Sequence, residues 1–365
     1  MSLSVGIVGL PNVGKSTLFN ALTKNAVPME NYPFCTIDPT VGVVAVPDAR
    51  LATLSTISES EKILPAVVEF VDIAGLVKGA SAGEGLGNKF LSNIRETDMI
   101  AEVVRIFDDE DVHHVQGAVD PLSDIEVINL ELIMADAETV SKRLGSVERD
   151  AKKGDKDSAD ELELLETLLS HLEAGKLANS YTLTDTQTRI IRHLHLLTMK
   201  PFLYICNKKN GSYNFDENGD ERWTELVNFF EENNVEYIVV DAGIEHELKD
   251  LDEEEKNEFR REYGSQNSGI QSLIRACYNR LGLMSYFTTG EKETRAWTVK
   301  IGSTGPVAAS AIHTDFEKKY IRAQVVTFED LVETGSFAKA REAGKLRTEG
   351  KEYIVQDGDV IEFLI

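Results

Sequence analysis

Short apolar runs, each suited to one buried β-strand, recur through the first two thirds of the chain. An amphipathic segment, Thr17–Leu22, follows the first run and carries apolar residues at helical spacing. Strand and helix signals that alternate in this way are typical of an α/β domain. The predicted strands are Ser4–Val8, Val41–Val46, Val67–Val71, Asp98–Phe107, Pro201–Asn207 and Tyr237–Gly243, and a loop is expected after the last of them.

The pattern changes between Ile125 and about His171, where apolar residues fall at helical spacing in two long segments. The polar run Lys152–Ser158 separates the two segments and predicts a turn. Together they predict an antiparallel helical hairpin of the coiled-coil type. The residues that set the spacing are Ile128, Leu132, Ala135, Val140, Leu144 and Val147 in the first segment, and Leu162, Leu165, Leu168, Leu169 and Leu172 in the second.

Basic residues collect near the predicted tip of this hairpin. They could form a local patch that binds phosphates of a partner, or a solvated face, because acidic residues are interleaved with them. The sequence leaves both interpretations open. The basic residues are Lys142, Arg143, Arg149, Lys152, Lys153 and Lys156, and the acidic ones are Glu148, Asp150 and Asp155.

Beyond Tyr286 the apolar runs become short again and predict a small β-rich module. Its predicted strands are Ala296–Ile301, Tyr353–Val355 and Val360–Leu364, with a tight turn at Asp357–Asp359. One stretch of the module is basic and is the least repulsive place on the chain for an RNA or ribosome contact. Its basic residues are Lys339, Arg341, Lys345, Arg347 and Lys351.

Size and charge narrow the function classes. The 365 residues exceed one ordinary core and predict more than one domain, and the net charge of −24 excludes a protein that coats nucleic acid with its whole surface. Widely spaced Cys35, Cys206 and Cys277 argue against a disulfide framework or a zinc site and favour a reducing compartment. The N-terminus enters the first predicted strand without a leader pattern, so we expect a cytoplasmic protein.

Gly9–Ser16 has the spacing G-x-x-x-x-G-K-[ST] and lies between a predicted strand and a predicted helix. In such a phosphate loop the backbone N–H groups surround phosphate oxygens, the lysine reaches the β- and γ-phosphates, and the hydroxyl ligates Mg²⁺. The sequence therefore predicts a nucleoside triphosphate site. Its predicted nucleotide-binding residues are Asn12, Val13, Gly14, Lys15, Ser16 and Thr17, with Lys15 also catalytic and Ser16 also a metal ligand.

Two later segments fit nucleotide-sensing switches. Thr36, between two prolines, is the candidate threonine that ligates Mg²⁺ and senses the γ-phosphate, although an ordinary proline-delimited turn is the alternative. Asp72-Ile73-Ala74-Gly75 ends a strand with D-x-x-G spacing, which predicts Asp72 near the metal and Gly75 at the γ-phosphate. The next residue, Leu76, has no group that could orient an attacking water.

Water would then have to be positioned by another residue. His114 follows the strand Asp98–Phe107 in a loop at the carboxyl edge of the predicted sheet, where a histidine could orient water or donate to a phosphate, although most loop histidines do neither. The glycines at 79, 83, 85 and 87 predict a mobile second switch.

Asn207-Lys208-Lys209-Asn210 stands at the end of a predicted strand, where guanine-specific switches carry N-K-x-D. We expect Asn207 and Lys208 to contribute to nucleotide binding. An asparagine at the fourth place offers one acceptor oxygen and one NH₂ donor, and this pair matches adenine at least as well as guanine. Strict GTP specificity is therefore not expected.

Several segments together resemble the Obg-like ATPase family of P-loop NTPases, over essentially the whole chain. The resemblance implies an α/β Ras-like domain formed by residues 1–124 and 196–284, an inserted helical coiled-coil hairpin at 125–195, and a C-terminal β-grasp (TGS) domain at 285–365. The segments are G-L-P-N-V-G-K-S-T at Gly9, N-Y-P-F-C-T at Asn31, F-V-D-I-A-G-L-V at Phe70, G-E-G-L-G-N-K-F-L at Gly83, R-A-W-T at Arg295, H-T-D-F-E-K at His313 and V-Q-D-G-D-V at Val355.

The resemblance also implies an activity: slow hydrolysis of ATP in preference to GTP and association with the ribosome. It assigns Mg²⁺ to Ser16 and Thr36, the replacement for the missing glutamine to His114, and a K⁺ requirement to Asn12. One departure concerns the base, because the family motif N-x-x-E has Asn210 in place of the glutamate, followed by an insertion-like segment at 211–219.

Other function classes fit parts of the sequence. A GTP-specific or dual-specificity translation GTPase is compatible with the base motif, and a nucleotide-binding module with little turnover is compatible with Leu76. A phosphotransferase acting on a small metabolite would need an arginine-bearing lid over a second substrate, and no segment has that pattern.

Overall fold

The computed structural model describes residues 3–23, 40–74, 86–109, 118–152, 156–248, 251, 255–256, 258–259 and 268–365. The strands of these residues are β1 (Ser4–Gly9), β2 (Val41–Ala45), β3 (Ile63–Leu64), β4 (Val67–Asp72), β5 (Met99–Arg105), β6 (Phe107–Asp108), β7 (Phe202–Lys208), β8 (Tyr213–Asn214), β9 (Glu236–Asp241), β10 (Leu283–Thr289), β11 (Thr294–Lys300), β12 (Arg322–Thr327), β13 (Arg347–Glu349) and β14 (Asp359–Leu364).

The helices of the described residues pack on both sheets and form the inserted hairpin. They are α1 (Lys15–Thr23), α2 (Arg50–Ser58), α3 (Leu86–Glu96), α4 (Pro121–Ala151), α5 (Lys156–Glu173), α6 (Asp185–Ile191), α7 (Glu221–Glu232), α8 (Ala242–Leu248), α9 (Gly269–Arg280), α10 (Gly305–Ile312), α11 (Thr314–Lys319), α12 (Phe328–Thr334) and α13 (Phe337–Glu342).

The central sheet has the strand order β2-β4-β1-β5-β7-β9. Its neighbouring strands are parallel except for β2, which runs antiparallel to β4. Its middle strands are buried, as in β5, because helices cover a parallel sheet on both faces. β5 is mostly apolar, with Glu102 and Arg105 as buried charged residues. The α/β prediction is confirmed. The parallel strands end at one edge of the sheet with Gly9, Asp72, Arg105, Lys208 and Asp241.

Two local predictions are wrong. Tyr353–Val355 is not a strand but contributes an isolated bridge between Thr304 and Ile354. Its backbone partners are Ser303 (3.0 Å) and Gly305 (2.9 Å), and the pairing ends there because α10 begins at Gly305. No loop follows the strand at Tyr237, since α8 begins directly after Asp241, whose carboxylate accepts the N–H of Ile244 at 2.9 Å. A strand-end aspartate that caps a helix needs no intervening loop.

The inserted hairpin consists of α4 and α5, which pack along an apolar seam that includes Val140, Val147, Leu165 and Leu168. Asp120 caps α4 by accepting the N–H of Ser123, and Pro121 occupies the first turn. The helix therefore begins four residues before the predicted start of the hairpin at Ile125.

A buried carboxylate ties the hairpin back to the nucleotide domain. Asp136 is fully buried and accepts hydrogen bonds from the N–H groups of Leu197 and Thr198 and from the Thr198 hydroxyl, at 2.7 to 2.8 Å. Burial raises the pKa of Asp136, and these three donors act in the opposite direction. The return segment is thus held against α4 just before the chain re-enters the sheet at β7.

Near the hairpin tip, basic side chains pair with neighbouring carboxylates. Arg143 binds Glu161 of the facing helix with two hydrogen bonds of 2.7 and 2.8 Å. Lys142 pairs with Glu138 at 2.5 Å and Lys152 with Glu148 at 2.6 Å. Among the described side chains, this pairing favours the solvated-face interpretation over a patch that is open to phosphates.

The C-terminal module is built on a second sheet of order β13-β12-β14-β10-β11-β3. Its last strand, β3, comes from the N-terminal part of the chain and lies parallel to β11, with Ile63 opposite Thr294. Backbone hydrogen bonds of 2.9 Å from Thr294 to Lys62 and from Glu61 to Glu291 extend the contact. The nucleotide domain and the C-terminal module are therefore joined by a shared sheet.

Arg50 in α2 adds a charged contact to this junction. Its guanidinium donates to Asp357 at 2.7 Å and to Asp48 at 2.7 Å, and it lies 4.8 Å from the centroid of the Phe287 ring.

Within the part of the chain that the structure describes, no helix is long and apolar enough to cross a membrane.

Candidate nucleotide site

The phosphate loop connects buried β1 to α1 at the carboxyl edge of the central sheet. Gly14 has φ of +94°, and a Cβ there would lie 2.2 Å from Nδ2 of Asn207, so the position accepts only glycine. Helix α1 begins at Lys15, and Leu18 donates to the carbonyl of Gly14 at 3.0 Å. The N–H groups of the first turn have no partner within a helix and are oriented to receive an anion.

Two predicted residues meet across this edge. The Nζ atom of Lys15 forms an ion pair with Oδ1 of Asp72 at the end of β4, and the Lys15 side chain is 10% exposed. Because β1 and β4 are parallel neighbours, the two strand ends bring the loop lysine and the aspartate together. The structure thus places the phosphate-binding cation beside the carboxylate predicted near the metal.

Asn207 fixes the loop from the other side. It is 4% exposed, its Nδ2 donates to the carbonyl of Val13 at 2.8 Å, and its Oδ1 accepts the N–H of Ala242 at 3.0 Å. Both ends of the amide are therefore bonded to backbone from two other segments. In this arrangement Asn207 holds the phosphate loop and the start of α8, and its contact with a nucleotide stays a prediction.

Lys208 lies at the same strand end with its amine held by acidic residues of the following segment. Nζ lies 2.6 Å from Glu217 and 3.9 Å from Asp216. Burial alone would lower the pKa of Lys208, but the hydrogen bond to Glu217 and the nearby carboxylates raise it above its ordinary value. Lys208 therefore stays charged beside the position expected for the base.

Asp241, which was not a predicted site residue, organises the strand end next to Lys208. Its carboxylate accepts the N–H of Asn210 at 2.6 Å and that of Ile244 at 2.9 Å. Burial raises the pKa of Asp241, and these backbone donors oppose the shift. The Val239-Val240-Asp241-Ala242 run, an acid at the end of an apolar strand, was the sequence signal for this role.

The insertion-like segment at 211–219 is ordered by its own contacts. β8 pairs antiparallel with β6, and the Arg222 guanidinium lies 3.7 Å from the centroid of the Phe215 ring. Arg222 also binds Asp108 at 3.0 Å and Asp220 at 2.8 Å. This ribbon fixes the segment that follows the base motif. Its pairing with β6 was not predicted, because each strand has two residues and so carries no periodicity.

The residues present fit Mg²⁺ and a nucleotide. The first turn of α1 offers backbone N–H groups for phosphate oxygens. The Ser16 hydroxyl and the Asp72 carboxylate supply oxygen atoms, which are the ligands that Mg²⁺ prefers. In the described part of the chain, no cluster of three or more His, Cys, Asp or Glu side chains could hold a metal by itself. Phosphate oxygens would therefore complete the coordination.

Four residues of the switch hypothesis, Thr36, Gly75, Leu76 and His114, lie outside the described residues. The predicted residues from Asn12 to Thr17 lie together in the loop and the first turn of α1. Asp72 ends β4, whereas Asn207 and Lys208 end β7, and strands β1 and β5 lie between these two.

Two family models match the chain. A model described as 50S ribosome-binding GTPase matches residues 4–136, and the YchF-GTPase C-terminal model, described as a protein of unknown function, matches residues 283–365. Together they cover the N-terminal part of the nucleotide domain and the C-terminal module.

Curated relatives match from end to end. The Ribosome-binding ATPase YchF of Bacillus subtilis is 53% identical over 363 residues, covering 100% of this chain and 99% of the relative. The protein of the same name from Escherichia coli O157:H7 is 48% identical over 364 residues, with the same coverage.

A solved structure extends the comparison to the fold. The YchF GTPase of Schizosaccharomyces pombe superposes with a TM-score of 0.89 at 37% identity, covering 100% of this chain and 98% of the other. This match confirms the predicted fold class. By sequence and by fold, the chain belongs to the YchF family.

Proposed function

We propose that the protein is a ribosome-associated P-loop switch that binds ATP, and GTP less well, and slowly hydrolyses the nucleotide to diphosphate and phosphate. The observation that carries the proposal is the phosphate loop, with Lys15 paired to Asp72 and Gly14 packed against Asn207. Proteins named ribosome-binding ATPases are 48–53% identical to this chain over its whole length, and their name supports ATP as the nucleotide and the ribosome as the partner.

Each residue of the edge has a defined task in this proposal. Lys15 would leave Asp72 to bind the β- and γ-phosphates, and the Asp72 carboxylate and the Ser16 hydroxyl would help to hold Mg²⁺. Backbone N–H groups of residues 12–17 bind phosphate oxygens. Bound Mg²⁺ would neutralise charge on the phosphates, with Ser16 and Thr36 as the proposed ligands.

The proposed chemical step needs a residue to hold the attacking water. Leu76 has no hydrogen-bonding group, so the proposal assigns this task to His114, with the backbone at Gly75 sensing the γ-phosphate. Slow turnover is expected from a site without the usual glutamine. We also propose that Asn12 in the phosphate loop underlies a K⁺ requirement.

The base is selected at the ends of β7 and β9. The exposed side chain of Asn210 can pair with an adenine edge, and Lys208 offers its aliphatic stem. The N–H of Ala242 already donates to Oδ1 of Asn207, so in this arrangement it is not available to the carbonyl oxygen of guanine. These contacts support a preference for ATP.

Residues 1–124 and 196–284 would form the nucleotide-binding unit, 125–195 the hairpin, and 285–365 the TGS unit. We propose that the ribosome contact involves the large subunit and local RNA, through the C-terminal unit and the hairpin. Within the C-terminal unit the exposed Lys339 and Lys351 belong to the basic stretch. A ribosome-bound protein works in the cytoplasm.

Two measurements test the proposal. Calorimetric titration with Mg²⁺ should give tighter binding of ATP than of GTP, and equal affinities would mean dual specificity. Co-sedimentation with 70S ribosomes and 50S subunits should differ between the ADP-bound and ATP-analogue-bound protein. Equal sedimentation in every nucleotide state would contradict the switch. If ATP bound but no phosphate were released, in K⁺ buffer or in Na⁺ buffer, the protein would be a nucleotide-binding module with little turnover.

A further inference from the structure

A cleft of about 1040 Å³ lies at the amino edge of the central sheet, away from the phosphate loop. It is bordered by α4, by the segment after α5, by the start of β7, and by the C-terminal ends of α7 and α9. The nucleotide site uses the other end of β7, at Asn207 and Lys208. The volume is at the upper end of the range for small-molecule sites, which is about 300–1,000 Å³.

The cleft contains buried polar atoms that the protein leaves without hydrogen bonds. The hydroxyl of Tyr204, the amide oxygen of Asn129 and Nε of Arg280 are buried and have no hydrogen-bond partner among the described residues. Asn129 lies beside the Tyr204 hydroxyl, but the two atoms are not in hydrogen-bond geometry. Tyr204 is fully buried, so its hydroxyl has no access to bulk water and is left unsatisfied by the described residues.

Cations line the cleft although the chain as a whole is strongly acidic. Lys176, Lys200 and Arg280 contribute positive groups, and Glu126 is the acidic side chain among the lining residues. The amine of Lys200 donates to the carbonyl of Arg95 at 3.2 Å and to that of Thr97, which fixes its position, and burial lowers its pKa. Lys176 and Arg280 therefore provide most of the positive charge that a ligand would meet. A site with this charge balance, in a protein of net charge −24, favours an anionic ligand.

The other lining residues indicate what the uncharged part of such a ligand would look like. Leu130, Ile133 and Phe229 offer apolar surface, and Leu130, 54% exposed, stands at the mouth. Amide groups of four asparagines present donors and acceptors at once, as the polar edge of a heterocycle requires. The asparagines are Asn129, Asn179, Asn233 and Asn234.

We propose that this cleft binds a nucleoside monophosphate, or a metabolite built like one, as a second site distinct from the phosphate loop. The phosphate takes the cations, the flat ring lies against the apolar side chains, and the polar edge of the ring pairs with the asparagine amides. The half-buried Arg280 donates to the phosphate through its guanidinium.

The experiment titrates AMP, GMP, CMP and UMP separately into the full-length protein kept saturated with Mg²⁺ and ADP, by calorimetry. At least one of the four should bind with a stoichiometry near one per chain. Added ADP should not compete. Binding of none, or competition by further ADP, would overturn the proposal, as would binding of inorganic phosphate with equal affinity.

Variants assign the binding to the cleft. Arg280→Met should weaken binding of the monophosphate at least tenfold, whereas Arg192→Met, an exposed arginine outside the cleft, should not. Leu130→Trp fills the mouth from an exposed position and should abolish binding without lowering the melting temperature. Unchanged affinity in Leu130→Trp would exclude the cleft even if Arg280→Met failed to fold.

This proposal does not rest on hydrolysis. If ADP did not bind the phosphate loop, the proposed switch would fail, and the cleft variants would still decide where a monophosphate binds. A crystal structure with the bound monophosphate elsewhere, and ordered water only in the cleft, would likewise contradict it.

Discussion

At the scale of single residues, a few buried polar side chains do more than the loop motif itself to shape the nucleotide site. Asn207 is the main example, because one amide joins the phosphate loop to the start of α8. Replacing it leaves a buried carbonyl and a buried N–H unsatisfied. The loop would then lose the brace that sets its distance from β7.

Asn207→Ala should weaken ATP binding at least tenfold and lower the free energy of unfolding by about 1–3 kcal/mol, since two buried partners lose their bonds. Calorimetry and urea denaturation measure the two effects. Asn279→Ala is the matched control, because that exposed asparagine of α9 belongs neither to the phosphate loop nor to the cleft lining. Equal losses of ATP affinity in the two variants would show that the brace is unimportant.

Glu102 predicts a pH effect. Its side chain is 1% exposed in β5, and burial together with the nearby Asp124 raises its pKa well above the ordinary value of 4.5. The folded state therefore keeps a proton that the unfolded chain releases. The free energy of unfolding consequently falls as pH rises above the unfolded pKa and stops falling at the folded pKa.

Glu102→Gln removes this titration and keeps the shape of the side chain. We expect the variant to match the parent protein near pH 4 and to exceed its stability at pH 8 by about 1.4 kcal/mol for each unit by which the pKa of Glu102 is raised. Denaturation curves from pH 4 to 8 test this. A constant difference across the range would refute the titration argument.

Some residues of the site could be predicted from the sequence, and the roles of others could not. The spacing of Gly9, Gly14, Lys15 and Ser16 was sufficient to predict the loop, because phosphate binding is local in sequence. The sequence did not reveal the brace of Asn207 or the capping role of Asp241. These depend on which strands become neighbours, and that is decided by the packing of the whole sheet.

At the scale of elements, apolar periodicity predicted the long hairpin and the buried strands well, because each has a single dominant core face. It failed for Tyr353–Val355, whose backbone partner is the short segment at 303–305 that leads into α10. The pairing of β6 with β8 was also missed, since strands of two residues carry no periodicity. Short elements are set by tertiary contacts.

Two glycines of the hairpin region allow a matched test. Gly145 lies within α4 and Gly175 follows α5 with φ of +76°, and a Cβ at either position would meet nothing within 4 Å. Gly145→Ala should stabilise the protein by about 0.5–1 kcal/mol, because alanine favours the helix. Gly175→Ala should destabilise it by about 1–2 kcal/mol, because left-handed backbone is costly for alanine. Thermal denaturation of the two variants measures the difference, and equal effects would contradict the conformational argument.

At the scale of the whole molecule, the sequence-based resemblance predicted the order of parts but not how the first and last parts meet. The shared sheet of β3 and β11 and the contacts of Arg50 join them. Neither could be predicted, because residues 230 to 307 positions apart carry no local signal of contact. Movement of the C-terminal module therefore has to involve α2 and β3.

Arg50→Met tests this junction. Burial alone would lower the pKa of Arg50, but hydrogen bonds to Asp48 and Asp357 raise it, so the charge persists at any accessible pH. Loss of these bonds should cost about 1–3 kcal/mol. Calorimetric scans should separate into two transitions as the C-terminal module uncouples. Arg192→Met, an exposed arginine outside the junction, should keep the scan of the parent protein. A single unshifted transition in Arg50→Met would mean that the junction does not depend on this side chain.

The shared sheet also determines when parts of the chain can fold during translation. Ser60 accompanies β3 and bonds the carbonyl of Gly290, which is made 230 residues later. At about 5–20 residues per second, the strand waits for its partner for about 10–50 s. During that interval α2 and β3 present an unfinished surface on the nascent chain. The last contacts of the first domain therefore form only when translation is nearly complete, and a chain released early would carry this open edge into the cell.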